Sequence, residues 1–226
     1  MHKITIYHGS TQSLPEPVYG YGKATNDYGR GFYCTESLEL AKEWACADGR
    51  DGMANKYVLN TDGLSILCLN SKDYHILNWL AILLDNRTFN ISHGISSRAK
   101  QYLLENFLPD YRSYDIIIGY RADDSYFTYA GDFVDNTISL QSLSLAMRLG
   151  KLGEQVVLMS QKAFDALSFV EAIPASAEQY YAKYALRDRA ARADYQALKQ
   201  TDNPEDGMYV MDIIRSKILN DDPRLR

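Results

Sequence analysis

"KITIYHGS" at residues 3–10 and "DYGRGFYCT" at residues 27–35 decide how this chain is read. The first alternates apolar and polar positions and is β-branched. It reads as a strand ending at Gly9. The second holds a Gly-rich turn, then "GFYCT", a second short strand. Between them "TQSLPEPVYGYGKATNDYGRG" is rich in Gly, Pro and Asn. So long a loop inside a compact domain is usually functional.

Working outward, Thr35 is placed to cap a helix through about residue 47, with Leu38, Ala41, Trp44 and Ala45 at helical spacing. "NKYVLNTDGLSILCL" (55–69) reads as two strands around the "TDG" turn. Helices are expected over 72–87 and 97–107, and a central strand over "YDIIIGYR" (114–121). "ADDSYFTYAGDFV" reads as loop and strand. Ser139 caps a helix to about Leu149, "EQVVLMS" (154–160) is a buried strand, and Ser160 caps "QKAFDALSF". After Phe169 the strand signal ends. Ser176 and Gln179 have capping-box spacing and open one long helix, "NPEDG" breaks it, and "MYVMDIIRSKIL" forms a last helix. The expectation is an α+β domain over 1–170 and a helical C-terminal extension over 171–226.

The chain has 226 residues, 46% hydrophobic and 23% charged, which suits a folded globular protein and excludes wholesale disorder. Its net charge of −5 argues against general binding to a nucleic-acid backbone, though not against a local basic patch. Eighteen tyrosines supply rings that pack and hydroxyls that bond, as clefts and interfaces use them. Cys34, Cys46 and Cys68 are odd in number and match no metal spacing, so no metal site is expected. The N-terminus lacks the apolar stretch of a signal peptide. The longest apolar run, "WLAILL" at 79–84, is too short to span a membrane. A cytoplasmic, reduced protein without a membrane partner is expected, and the sequons at Asn86 and Asn90 are then chance matches.

Three residue types near the two opening stretches suit a ligand. Gly9 lets a planar amide approach the backbone, His8 can donate to a hydroxyl, and Tyr33 offers a ring face. These are suitable parts for a nucleotide-like ligand. The bland alternative is that a His at a strand end and a Tyr inside a strand are core residues.

"YHGS", then "GRGFY" at 29–33, then "EQVVL" late in the domain resembles the ADP-ribosyltransferase superfamily. The pattern is that of its diphtheria-toxin-like and poly(ADP-ribose)-polymerase branch, with a His–Tyr–Glu triad. More closely, the chain resembles an uncharacterised bacterial family, DUF3990, whose members share "YHGS", "GKGFY", "YDIVIG…ADD" and a Gln before an apolar strand. The resemblance covers roughly residues 3–170. It implies a split β-sheet core flanked by helices, with NAD as substrate. His8 would bond ribose hydroxyls, Gly9 would clamp the nicotinamide carboxamide, and Ser10 would lie near the same ribose. Tyr33 would line the nicotinamide pocket, with Gly31 and Phe32 of the same motif beside it. Trp44 falls where a second aromatic stacks on nicotinamide, and it also fits the apolar face of its helix.

The third corner departs from the pattern. "GEQVVL" offers both Glu154 and Gln155, and alternation along a strand lets only one face a cleft. The family Gln falls best on Gln155, with Glu154 close behind. A carboxylate there stabilises an oxocarbenium-like centre, whereas an amide carries no charge. If Gln155 faces in, another acid must activate the acceptor. Asp123 and Asp124 in "ADDSYF" are the candidates, with a solvated turn pair as the bland reading.

The resemblance thus implies an NAD-dependent ADP-ribosyltransferase with a macromolecular acceptor, protein or nucleic acid. Compact bacterial members often act as toxins, so a small antitoxin protein is a partner to expect. The alternatives are an NAD glycohydrolase and a degenerate module that binds NAD, ADP-ribose or a protein. In the tail, Lys183, Arg187, Arg189, Arg192 and Lys199 face only Asp188 and Asp194 over 183–199. Such a run is more often a solvated helix face than a nucleic-acid stripe.

Overall fold

The structure, a computed structural model, describes residues 2–89, 94–122, 124–149, 153–201 and 207–225, without the side chains of 124–126. Strands β1 (Lys3–Ser10), β3 (Gly52–Asn60) and β7 (Leu167–Ala175) form one antiparallel sheet in the order β1-β3-β7. A second sheet has the order β2-β6-β5-β4, from β2 (Phe32–Cys34), β4 (Ile66–Cys68), β5 (Ile116–Tyr120) and β6 (Glu154–Leu158). Only its β4–β5 pair is parallel.

One bridge joins the two sheets. The Tyr7 N–H donates to the Thr35 carbonyl at 2.8 Å, and the Thr35 N–H donates back at 2.9 Å. No strand pairing between β1 and β2 continues past Tyr7 toward Ser10, and there a cleft opens. The helices are α1 (Leu38–Ala45), α2 (Ile76–Asn86), α3 (Ile95–Phe107), α4 (Asp124–Val134), α5 (Leu140–Ala146), α6 (Gln161–Asp165), α7 (Ala177–Thr201) and α8 (Val210–Arg215). The fold is therefore α+β, with its strands divided between two sheets.

Several expectations are corrected. Ser37, not Thr35, caps α1: its hydroxyl accepts from the Leu40 N–H, while Thr35 accepts from the Ser37 N–H. Two strands do flank "TDG", as read from the sequence, and they part to different sheets: β3 pairs with β1 and β7 while β4 pairs with β5. "DSYFTYAGDFV" is helical. Tyr129, Ala130, Phe133 and Val134 are all buried at helical spacing, a period that outweighs its aromatic, strand-like content. The strand β7 crosses residue 170 and carries the sheet on to Ala175. It is an edge strand carrying Glu171 and Pro174, residues that protect an edge and also hide it from pattern reading.

The C-terminal helices share the main core. Tyr195 of α7 stacks on Tyr129 with ring centroids 3.8 Å apart, and its hydroxyl donates to Asp132 at 2.6 Å. Val210 and Ile213 of α8 are buried in the same cluster as Trp79 and Phe133. Arg187 of α7 donates through Nε to Glu43 of α1 at 2.9 Å, both side chains being largely buried. The basic run is thus in part paired onto the domain. Among the described residues no helix is long and apolar enough to cross a membrane.

Candidate active site

The cleft between the diverging β1 and β2 has a volume of about 660 Å³. His8, Gly9, Ser10, Gly31, Phe32, Tyr33, Trp44 and Gln155 all line it. The two opening stretches therefore meet in space.

His8 accounts for one wall. Its Nδ1 lies 2.7 Å from the Tyr33 carbonyl, and its ring packs 4.4 Å from that of Phe32. A carbonyl oxygen only accepts, so Nδ1 carries the proton. Burial pushes the imidazole below its ordinary value of 6.5, so the ring is neutral. Its Nε2 then offers a lone pair. His8 is set to accept from a hydroxyl, not to donate as the sequence suggests.

Gly9 is a glycine for a reason the sequence hides. A Cβ there would meet the Ala41 carbonyl at 2.2 Å, the Ala45 nitrogen at 2.7 Å and the Trp44 Cβ at 2.9 Å. Helix α1 demands the missing side chain, rather than a ligand. The backbone points elsewhere. Tyr7 turns its N–H and C=O toward Thr35, so alternation turns those of Gly9 to the same edge, where β1 and β2 have parted.

Tyr33 contributes a ring. Its hydroxyl donates to the Gly29 carbonyl at 2.7 Å and accepts from the Tyr28 N–H at 3.0 Å. Burial drives that phenol well above its usual range, so it stays protonated and staples its own turn. Gly31 is required by packing, since a Cβ would meet Val157 Cγ1 at 2.6 Å. Ser10 lines the cleft, and its hydroxyl, which accepts from Asn55 Nδ2 at 3.2 Å, also takes part in the loop anchor.

The third corner resolves by alternation. Gln155 is buried and turns into the cleft, while Glu154 is exposed and accepts from Asn70 on the far face. Asp123 lies outside the described residues, as does the side chain of Asp124, whose backbone opens α4. The cleft has a different acid. Asp27 is 5% exposed and takes Gln155 Nε2 at 3.3 Å, the Ala122 N–H at 2.9 Å and Arg87 Nη1 at 2.9 Å. Burial raises its carboxyl above the ordinary 3.8, against the pull of the Ala122 N–H and the two arginines, Arg87 and Arg121.

Among the described residues, the buried Gln155 Oε1 and Trp44 Nε1 at this cleft have no hydrogen-bond partner. Burying such groups without partners is costly, and functional sites are where that cost is tolerated. The Arg121 guanidinium lies over the Trp44 ring, 4.3 Å from its centroid. Trp44 thus sits at the cleft and not in the core clusters.

The model of a family described as "Protein of unknown function (DUF3990)" matches residues 4–169. The chain belongs to DUF3990. No curated protein and no solved structure matches it. The DUF3990 match begins in β1 and ends inside β7, so it takes in every cleft residue named above.

Sequence reasoning missed Asp27, Asn55, Arg87 and Arg121. Asp27 stands in a stretch singled out for its glycines, and nothing local ties it to Gln155. Asn55 is fully buried and organises the loop after β1 in this DUF3990 chain. It donates to the His8 carbonyl at 3.4 Å and to Ser10 Oγ and the Gln12 carbonyl, each at 3.2 Å. It accepts from the Leu14 N–H at 2.8 Å. A buried polar residue inside a strand-like run is the one signal that could have marked it.

Proposed function

We propose that this cleft binds NAD and that the chain is an ADP-ribosyltransferase acting on a macromolecular acceptor, protein or nucleic acid. The observation that carries the reading is the convergence of His8, Gly9, Tyr33 and Gln155 on one cleft from β1, β2 and β6. Their order and placement resemble the His–Tyr–Glu transferases, and the division of strands into two sheets agrees with that family's split core.

The residues fit the ligand. The N–H and C=O that Gly9 turns toward the parted edge match a carboxamide, which needs one of each. The Tyr33 and Trp44 rings can flank a flat heterocycle. Neutral His8 accepts a ribose hydroxyl through Nε2. Loss of nicotinamide leaves an oxocarbenium-like centre, which nearby negative charge stabilises. Asp27 is the buried carboxylate lining the cleft, one hydrogen bond behind Gln155. A role as the toxin of a toxin–antitoxin pair follows from the resemblance and would add a small antitoxin protein as partner.

One observation favours a second reading, a module that binds NAD or ADP-ribose without turnover. The floor residue is an uncharged amide, and fold alone does not guarantee activity. Incubation with labelled NAD separates the possibilities. The transferase predicts nicotinamide release together with label on a protein or nucleic acid, abolished by His8→Ala and Gln155→Ala. Release without a labelled macromolecule identifies a glycohydrolase. Tight binding without release identifies the module. NAD that neither binds nor reacts sinks the proposal.

A further inference from the structure

Gln155 raises a question of orientation. Its amide has a donor end and an acceptor end of nearly the same shape, and the two ends select opposite ligands. Something must decide which end faces the cleft.

We propose that Asp27 is the positioning residue of the cleft: its carboxylate holds the Gln155 nitrogen, so the Gln155 carbonyl oxygen faces the ligand and selects a hydroxyl or N–H donor there. The geometry leads to this directly. An ionised carboxylate only accepts, so the end of Gln155 lying 3.3 Å from Asp27 Oδ2 must be Nε2. The other end, Oε1, is buried and without a partner. Asp27 is itself fixed from two further elements, by the Ala122 N–H beyond β5 and by Arg87 at the end of α2. The amide is therefore oriented by a charge that is itself anchored on both oxygens. On ribose-bearing ligands the matching donor is a hydroxyl, and for that ligand class the inference rests on the NAD reading above. The orientation of the amide does not.

Protonation would lift that constraint. A neutral Asp27 carries an O–H, which can donate to Gln155 Oε1 and turn the amide nitrogen toward the ligand. The charged and titratable groups facing Asp27 among the described residues are Arg87, Arg121 and the phenols of Tyr28 and Tyr33. His8 titrates across the same cleft.

The first test needs no ligand and no change to the native protein. The side-chain amide signals of Gln155, assigned by their absence from Gln155→Glu, are followed by nitrogen-15 NMR from acid to neutral pH. They should follow a single ionisation that lies above an ordinary carboxylate and disappears in Asp27→Asn. Signals that ignore pH, or that titrate unchanged in Asp27→Asn, overturn the proposal.

The second test is ADP-ribose affinity against pH, by titration calorimetry. Asn can meet either end of Gln155, so Asp27→Asn removes the enforced orientation. Affinity should fall about ten-fold, the worth of one mispaired hydrogen bond, and the Asp27 acid limb should vanish while that of His8 persists. A lowered urea midpoint with unchanged affinity and pH profile would make Asp27 merely structural. If the native protein binds neither ADP-ribose nor NAD, the NAD reading fails and the NMR titration alone decides the role of Asp27.

Discussion

The β1–β2 wall of the cleft and its β6–α1 floor use polar atoms in opposite ways. On the wall, His8 Nδ1 meets the Tyr33 carbonyl, Tyr33 Oη bonds Gly29 and Tyr28, and Asn55 ties four backbone and side-chain groups together. On the floor, Gln155 Oε1 and Trp44 Nε1 are buried with no partner. These wall bonds hold the scaffold together, whereas the two floor atoms have no partner among the described residues. Changes to the wall should cost stability, and changes to the floor should cost binding.

The largest effect expected is on the wall. Gly9→Ala places a methyl 2.2 Å from the Ala41 carbonyl, a backbone atom that cannot rotate away. Displacing α1 from β1 should destabilise the fold by about 3 kcal/mol, read from urea unfolding. A change under about 1 kcal/mol would show that the wall yields, and would break the contrast. Asn55→Ala comes next. It removes the partner of the Leu14 N–H and of the His8 carbonyl in a half-buried setting, at a cost of about 2 kcal/mol. The same denaturation curve checks it, and faster proteolysis within residues 10–14 would sharpen it.

The floor should respond differently. Trp44→Phe removes an N–H that bonds nothing and keeps most of the ring. Stability should change by less than about 0.5 kcal/mol while affinity for nicotinamide-bearing ligands falls. Equal losses in both would place Trp44 with the wall.

The smallest effect is a pH slope. Burial keeps His8 neutral below 6.5, where the unfolded chain takes up a proton. Stability should therefore fall as pH drops from 6.5 through the lowered folded value. His8→Gln should flatten that slope by under about 1 kcal/mol. Asp27 acts with the opposite sign. Its raised carboxyl keeps a proton in the fold that the unfolded chain has lost, so its contribution declines as pH rises from 3.8. Comparing the slopes with and without Asp27→Asn separates the two groups.

What could be read in advance follows physical range. The strand "KITIYHGS", the "GFYCT" strand and the Ser139 and Ser160 caps are written in neighbouring residues, where alternation and hydroxyl placement act over a few positions. The helix α4 was obscured because its aromatic residues also suit strands, and only burial on one side shows the helical period. The edge strand β7 was obscured because an unpaired edge tolerates Glu171 and Pro174.

By itself the sequence determined a strand that carries the His8–Gly9 pair and a Gly-rich turn leading into a second short strand at Tyr33. It also narrowed the third corner to Glu154 or Gln155. Tertiary structure alone decided the rest. It parted the sheets after one bridge at Tyr7 and Thr35, filled the space beside Gly9 with α1, and set Asp27 against Gln155. The reason is sequence distance. Asp27 meets Gln155 because the turn before β2 is held back by Tyr33 Oη and because Ala122, just beyond the β5 strand that pairs with Gln155, donates to Asp27; no local propensity of either residue encodes a partner so far along the chain.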